Sequence, residues 1–154
     1  MAKKMIGVNC LAPDAELQKL NLIDLISERH ITTRRISEKA WNDNSEFHIS
    51  NSEWYIMARI YKKQPTIAYV TKNVDISRQA IHKFIKNLAS KGLVEVRNVE
   101  NNKKEKCIRL TAFGEECYEK NEALKVQLEN KVAEKIGPDQ MEILKDILKS
   151  DWGI

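Results

Sequence analysis

The sequence has few of the residues that build metal sites, disulfide frameworks and phosphate loops. Its 154 residues include three cysteines and three histidines, without a spacing that is typical of zinc ligands. An odd number of cysteines with no Cys-x-x-Cys pair also argues against a disulfide framework. The five glycines form no glycine-rich phosphate loop, and no nucleophile motif or paired acid–base constellation is present. We therefore expect no metal, no cofactor and no enzymatic activity.

Long hydrophobic runs are also missing from the sequence. No apolar segment approaches the ~20 residues of a membrane span. Residues 3–12 superficially resemble a short signal peptide, but their apolar stretch is brief, is interrupted by Asn9 and lacks a small-x-small cleavage pattern. We interpret this segment as a disordered or loosely docked tail, and we expect a cytoplasmic protein that makes no membrane contact.

Positive charge is concentrated in one part of the chain. The formal net charge is +4, yet residues 62–109 contain 12 Lys and Arg against 4 Asp and Glu, which leaves +8. The rest of the chain contains 14 against 18, which leaves −4. Such a basic segment is typical of a surface that binds nucleic-acid phosphates, with a merely solvated charged surface as the ordinary alternative.

The basic segment contains two helical patterns separated by only four residues. The first covers residues 66–72 and the second covers residues 77–90. Thr66 and Ser77 are placed as N-caps of these helices, and Gly92 ends the second one. This arrangement predicts a helix-turn-helix.

A β-hairpin is expected directly after the second helix. Two β-type runs, residues 93–99 and 106–111, flank the polar stretch 100–105. Alternation along the second run places Cys107 on the face opposite Ile108. The polar stretch predicts a basic loop at the tip of the hairpin.

The second helix of the motif combines an apolar stripe with an open polar face. Its apolar residues fall at helical spacing: Ile81, Phe84, Ile85 and Leu88. Three polar residues are expected to contact base edges in a DNA major groove: Gln79, His82 and Lys83. Others are expected to contact the DNA backbone or to act from the hairpin: Thr66, Ser77, Arg78, Lys86, Asn102, Lys103 and Lys104. A solvated helix face is the ordinary alternative, and for Ser77 helix capping is the larger expected effect.

Long helical patterns lie on both sides of this segment. One extends from residue 13 to about residue 42 and contains no internal Gly or Pro. Another begins at residue 111 or 112 and ends at Gly137, where Pro138 starts the last helix. Their apolar stripes are larger than a single chain needs to cover, so we infer a homodimer interface made by the first and the last two helices.

Several short motifs occur together in the order and spacing of a known family. Ile49-Ser50-x-x-Glu53-Trp54, which also forms a capping box, is similar to a Leu-Thr-x-x-Gln-Trp motif. Lys91-Gly-Leu-Val94 matches the exit from a recognition helix, and Arg109-Leu-Thr111 with Gly114 matches the end of a wing. With residues 66–74 and 77–88 as the two motif helices, residues 49–111 resemble the MarR/SlyA family of bacterial transcription regulators.

The resemblance implies a mainly α fold with a small β-hairpin wing. It predicts one intertwined domain in three parts: a tail and dimerisation helix in residues 1–48, a winged helix-turn-helix lobe in residues 49–111, and C-terminal dimerisation helices in residues 112–154. It also implies a homodimer whose two lobes bind a pseudo-palindrome in double-stranded DNA. Members of the family mostly repress transcription, and many release DNA when a small phenolic or other effector binds.

The wing departs from the family pattern. The family usually carries Asp-x-Arg there, with the Arg in the minor groove and the Asp bracing it, whereas Asn102 and Lys104 stand at these positions here. Asn carries no charge, and Lys lacks the planar fork of Arg. We therefore expect weaker wing contacts and a larger share of recognition on the helix.

Two alternative functions are compatible with the same sequence features. The alternatives to a sequence-specific regulator are an architectural DNA binder without sequence preference and a winged-helix module that binds protein.

The cysteines and tryptophans carry separate expectations. Cys117 lies on an apolar stripe and is expected to be a buried structural thiol. Cys10 is expected to be exposed, and oxidation of Cys107 that releases DNA is kept as a hypothesis. The tryptophans are expected in the core: Trp41, Trp54 and Trp152.

Overall fold

The computed structural model describes residues 14–154, so the predicted tail and Cys10 lie outside the described residues. This part of the chain folds in the order α1 (Asp14–Leu17), α2 (Leu22–Asp43), α3 (Asn51–Ile60), α4 (Ile67–Asn73), α5 (Arg78–Ser90), β1 (Val94–Val99), β2 (Asn102–Leu110), α6 (Ala112–Ile136) and α7 (Pro138–Lys149). The two strands form an antiparallel hairpin. The mainly helical fold with a small hairpin is confirmed. None of the described helices is long and apolar enough to cross a membrane.

Side-chain caps explain where four of the helices begin. In each case a side-chain hydroxyl oxygen accepts a hydrogen bond from the backbone N–H three residues later. The distances are 3.3 Å for Ser50, 3.1 Å for Thr66, 3.3 Å for Ser77 and 2.9 Å for Thr111. Each cap satisfies an N–H group that the helix itself leaves without a partner. The predicted capping box at the start of α3 is also complete, because the Glu53 carboxylate accepts from the Ser50 backbone N–H at 2.8 Å.

The prediction of one uninterrupted N-terminal helix is wrong. Helix α1 ends at Leu17, and α2 begins at Leu22 after a short turn. The cause is Asn21, whose side-chain oxygen accepts from the Asp24 backbone N–H at 3.0 Å and so caps a new helix. Asparagine favours this role because its short amide competes with the helical hydrogen bonds of its own backbone.

The core joins the central lobe to the flanking helices. Trp41 of α2 packs edge-on against Trp54 of α3, with ring centroids 4.9 Å apart, and both are buried. Cys117 of α6 belongs to the same hydrophobic cluster. The prediction that Trp152 lies in the core is wrong. Its side chain is exposed after α7, where the indole N–H donates to the Ile147 carbonyl at 2.7 Å.

Helix α6 starts in close contact with the end of α5. The Thr111 N–H donates to the Leu93 carbonyl at 3.0 Å, and the Thr111 hydroxyl donates to the Gly92 carbonyl at 2.6 Å. Gly114 lies so close that a Cβ added there would stand 1.9 Å from the Leu93 carbonyl oxygen. The backbone contact therefore requires a residue without a side chain.

The hairpin differs from its prediction in where its second strand begins. The turn consists of Glu100 and Asn101, and Asn101 has a φ of 62°, which asparagine tolerates better than most residues. Asn102 already pairs with Val99, whereas Lys106 pairs with the preceding residue of β1, so residues 103–105 form a bulge. The predicted tip residues from Asn102 onward therefore belong to a bulged strand and not to a loop.

Apolar side chains remain exposed on three of the helices. They lie on α2 (Leu22, Ile23, Ile26, Ile31 and Ile36), on α6 (Val126, Val132 and Ile136) and on α7 (Ile143, Leu144, Ile147 and Leu148). A helix normally buries such a stripe against another element. These are the helices for which the sequence predicts an interface with a second copy.

Candidate nucleic-acid interface

Helix α5 presents the residues predicted to contact DNA bases. Its predicted apolar stripe is buried or partly buried in the core: Ile81, Phe84, Ile85 and Leu88. Its polar side is exposed: Arg78, Gln79, His82, Lys83 and Lys86. The division of this helix into a core face and an open face is therefore as predicted.

A Schellman motif fixes the end of α5. Gly92 adopts a φ of +73°, its N–H donates to the Ala89 carbonyl at 3.0 Å, and the Leu93 N–H donates to the Leu88 carbonyl at 3.0 Å. Both of these leucines are fully buried. Together with the cap at Ser77, this motif holds α5 at both ends.

A cleft of about 760 Å³ separates α4 and α5 from the wing. From the predicted set it brings together Arg78, His82, Lys86 and Lys104. Two lysines that the sequence analysis missed also line it: Lys72 at the end of α4 and Lys106 on β2. Lys106 lies two residues after Lys104, which is a usable sequence signal, whereas the position of Lys72 depends on how α4 packs.

The remaining predicted residues do not line this cleft. Gln79 and Lys83 are one turn apart on the side of α5 opposite its buried stripe, where they face solvent. Lys103 is exposed on the bulged part of β2. The hydroxyls of Thr66 and Ser77 are occupied as helix caps, which supports capping as the larger effect for both.

The cations on this side of the molecule lack acidic partners. Of the salt bridges found between described residues, none includes Lys72, Arg78, Lys83, Lys86, Lys103, Lys104 or Lys106. We call these seven residues the unpaired cations. Other cations of the lobe are paired with carboxylates, such as Lys62 with Glu115 at 2.6 Å. The unpaired cations therefore give this face a positive potential, which Glu105, the single carboxylate among the described residues that line the cleft, offsets only in part.

Asn102 braces the wing through the backbone. Its side-chain oxygen accepts from the Lys104 N–H at 3.1 Å, and its amide N–H donates to the Glu105 carboxylate at 3.3 Å. These bonds shape the bulge, and the carboxylate that Asn102 binds belongs to Glu105, which lines the cleft together with Lys104. The weaker wing contacts expected from the sequence stay a prediction.

A carboxylate holds two arginines on the outer side of the wing. Glu95 of β1 accepts from Arg109 of β2 and from Arg97, the latter at 3.1 Å. These interactions lower the pKa of Glu95, with the hydrogen bond from Arg109 as the largest cause and that from Arg97 as a smaller one. Both arginines are therefore paired with a carboxylate of the wing, unlike the unpaired cations.

The pKa of Glu95 provides a test of this arrangement. We expect Arg109→Gln to raise the pKa of Glu95 more than Arg97→Gln does, since Arg109 supplies the larger stabilisation of the carboxylate. Because the folded pKa is lowered, the stabilising effect is present above the unfolded pKa and is lost as the pH falls through the folded pKa. Carboxyl NMR titration of the three proteins measures this, and equal pKa values in all three would contradict it.

The two described cysteines are both buried. Cys107 was expected on the face opposite Ile108, yet both are buried, because residues 64–66 cover that face. The Gln64 amide lies 3.2 Å from the Cys107 sulfur. Burial raises the pKa of the Cys117 thiol, which disfavours its reactive thiolate. Cys117 is a buried thiol, as predicted, and no group of His, Cys, Asp and Glu among the described residues could hold a metal.

Residues 49–114 match the model of a winged helix DNA-binding domain. No curated protein matches the chain.

Solved structures share the fold over most of the chain. The reduced form of MarR from E. coli has a TM-score of 0.75 at 21% identity and covers 84% of this chain and 95% of its own. A mutant MarR from E. coli complexed with operator DNA has a TM-score of 0.70 at 21% identity, with 89% and 97% covered. A putative MarR-like transcription regulator from Bacillus cereus has a TM-score of 0.68 at 17% identity, with 82% and 90% covered. The predicted resemblance is thus confirmed: residues 49–114 form a winged helix DNA-binding domain within a chain that has the fold of the MarR regulators.

Proposed function

We propose that this protein is a sequence-specific transcription regulator that binds double-stranded DNA as a homodimer. The observation that carries the proposal is the set of unpaired cations around α5 and the wing, within a domain that matches a DNA-binding model. Unpaired positive side chains on one face repel each other, and a polyanion relieves that repulsion. The solved operator complex of a MarR protein supports DNA as the polyanion.

The exposed residues of α5 divide into two roles under this proposal. Gln79, His82 and Lys83 contact base edges, since Gln79 and Lys83 lie on the outermost side of the helix. The phosphate contacts are Arg78, Lys86, Lys103, Lys104 and the two newly found lysines, Lys72 and Lys106. Thr66, Ser77 and Asn102 act mainly by holding the helices and the bulge in place.

The exposed apolar faces of α2, α6 and α7 support the homodimer. They lie outside the matched domain, so a second copy can cover them while both α5 helices remain free. Two symmetric lobes suit a pseudo-palindromic operator whose half-sites are about one DNA turn apart.

Repression and release by an effector complete the proposal. One of the similar structures is described as the Multiple Antibiotic Resistance Repressor, MarR. A shallow groove of about 320 Å³ between α2 and α3 is a place for a small organic effector, since an aromatic ring, Tyr55, and the charged side chains of Arg34 and Glu38 line it. A ligand in this groove would act on the contact between α2 and the lobe.

The proposal predicts different losses for base and phosphate contacts. Gln79→Ala is expected to weaken operator binding by about 1–3 kcal/mol and to leave random duplex nearly unaffected. Lys104→Gln is expected to weaken both equally and to reduce the slope of log K against log salt by about 1.8, since about 0.9 is lost at each of the two protomers. Fluorescence anisotropy with the protein's own upstream region and a scrambled duplex, at several salt concentrations, measures both quantities.

The control is Lys131→Gln, which removes an exposed charge from α6, far along the chain from the lobe. It should change neither the affinity nor the slope. A wild-type affinity that is equal for operator and scrambled DNA would favour an architectural binder. Failure to bind any duplex would favour a module that binds protein.

A further inference from the structure

A buried carboxylate lies beneath the end of α5. Glu53 is 3% exposed, and its two oxygens have separate partners. One oxygen accepts from the backbone N–H and the hydroxyl of Ser50, at 2.8 and 3.0 Å. The other accepts from the Lys91 ammonium at 2.9 Å. The carboxylate thus joins the beginning of α3 to the residue that follows the last turn of α5.

Lys91 differs from the unpaired cations in its surroundings. Its ammonium also donates to the His48 carbonyl at 2.7 Å, and its side chain is only 27% exposed. The carbonyl sits on a fixed loop, because the His48 ring pairs with Glu38 of α2 at 2.9 Å. Lys91 therefore has two oxygen partners on the protein and is not a free cation that would contact phosphate.

The pair requires a carboxylate at position 53. An amide there offers one oxygen and one N–H₂ group, so it can accept from Ser50 or from Lys91 but not from both. If its oxygen faced Ser50, its N–H₂ group would face the Lys91 ammonium, and two donors would meet.

We propose that Glu53 and Lys91 are positioning residues that set the orientation of α5 on the lobe and thereby the affinity for operator DNA. The effect of the pair on the affinity for DNA rests on the proposed function, whereas its effect on the orientation of α5 does not. Lys91, one residue before the Schellman glycine, fixes the C-terminal end of α5 against Glu53 of α3. A small rotation about this end displaces the first turn of the helix, which carries Gln79, more than its last turn, because the helix is rigid.

The test uses Lys91→Met, with Lys86→Met as the matched control on the same helix. Lys91→Met is expected to weaken operator binding about tenfold without changing the salt slope. It should also accelerate amide hydrogen exchange at Gly92 and Leu93, which are in the Schellman motif. Lys86→Met should reduce the salt slope by about 1.8, one phosphate contact from each protomer, and leave exchange at these amides unchanged.

Two further variants separate positioning from folding. Glu53→Gln combined with Lys91→Met removes both charges, so it should be no worse than Lys91→Met alone, because no buried carboxylate is left unpaired. Lys91→Arg keeps the charge and should retain most of the operator affinity.

Two outcomes would overturn the proposal. One is a reduced salt slope in Lys91→Met, which would make Lys91 a phosphate contact. The other is unchanged hydrogen exchange at Gly92 and Leu93, which would show that the pair does not hold the end of α5. If the wild type fails to distinguish operator from scrambled DNA, the proposed function fails, and the exchange experiment still decides the positioning role.

Discussion

Gly114→Ala is expected to destabilise the protein by about 3 kcal/mol or more, or to prevent folding. The new methyl group would stand 1.9 Å from the Leu93 carbonyl oxygen, and this neighbour is backbone that cannot rotate away. The start of α6 would have to move from the end of α5, and with it the hydrogen bonds from Thr111 to Leu93 and Gly92. Thermal unfolding followed by circular dichroism measures the loss, which corresponds to a decrease in Tm of about 6–12 °C.

Gly92→Ala is the matched control for this substitution. It adds the same methyl group at a position with open space around it, where the cost comes from the φ of +73° alone. We expect a smaller loss of about 1–2 kcal/mol. If Gly92→Ala cost as much as Gly114→Ala, the close contact with Leu93 would not be the reason that position 114 needs glycine.

Replacing Leu144 and Ile147 together by aspartate is expected to convert the proposed dimer into a monomer. Both side chains are exposed on α7 in the single chain, at 43% and 52%, so the folded protomer should tolerate the charges. A buried dimer interface would not, since two unpaired carboxylates per chain would have to lose their water. Size-exclusion chromatography with light scattering should show half the wild-type mass.

The same double substitution is expected to weaken operator binding by at least about 100-fold. A monomer holds one half-site only, whereas linked lobes gain from the high effective concentration of the second one. The control combines Leu144→Met with Ile147→Val, which keeps the surface apolar and should keep both the dimer and the affinity. A wild-type protein that is already monomeric at micromolar concentration would contradict the dimer.

Much of the central lobe could be predicted because its signals are local. Ser77 caps α5 and Gly92 ends it through bonds to residues no more than five positions away, and such contacts are encoded by short motifs. The buried stripe of α5 follows from helical spacing alone. The break at Asn21 is also local, and the Asn-x-x-Asp spacing of Asn21 and Asp24 is its capping signal in the sequence.

Other features depend on segments that meet only in the folded chain. Cys107 is buried because the residues from Gln64 to Thr66 cover its strand, and strand alternation cannot reveal this cover. The contribution of Lys72 to the cleft depends on the packing of α4 against the wing. The bulge in β2 depends on how the hairpin closes. The division of the chain into three parts, the base contacts and the cytoplasmic location stay predictions.

The unpaired cations have a consequence for the protein when no DNA is present. Their mutual repulsion acts against the folded state, and dissolved salt screens it over distances of about 8–10 Å. Added salt should therefore raise the free energy of unfolding of the DNA-free protein while it lowers the affinity for DNA. If the protein binds DNA as proposed, salt and DNA would stabilise the same fold by relieving the same repulsion, and the stabilisation by DNA would be largest in dilute salt.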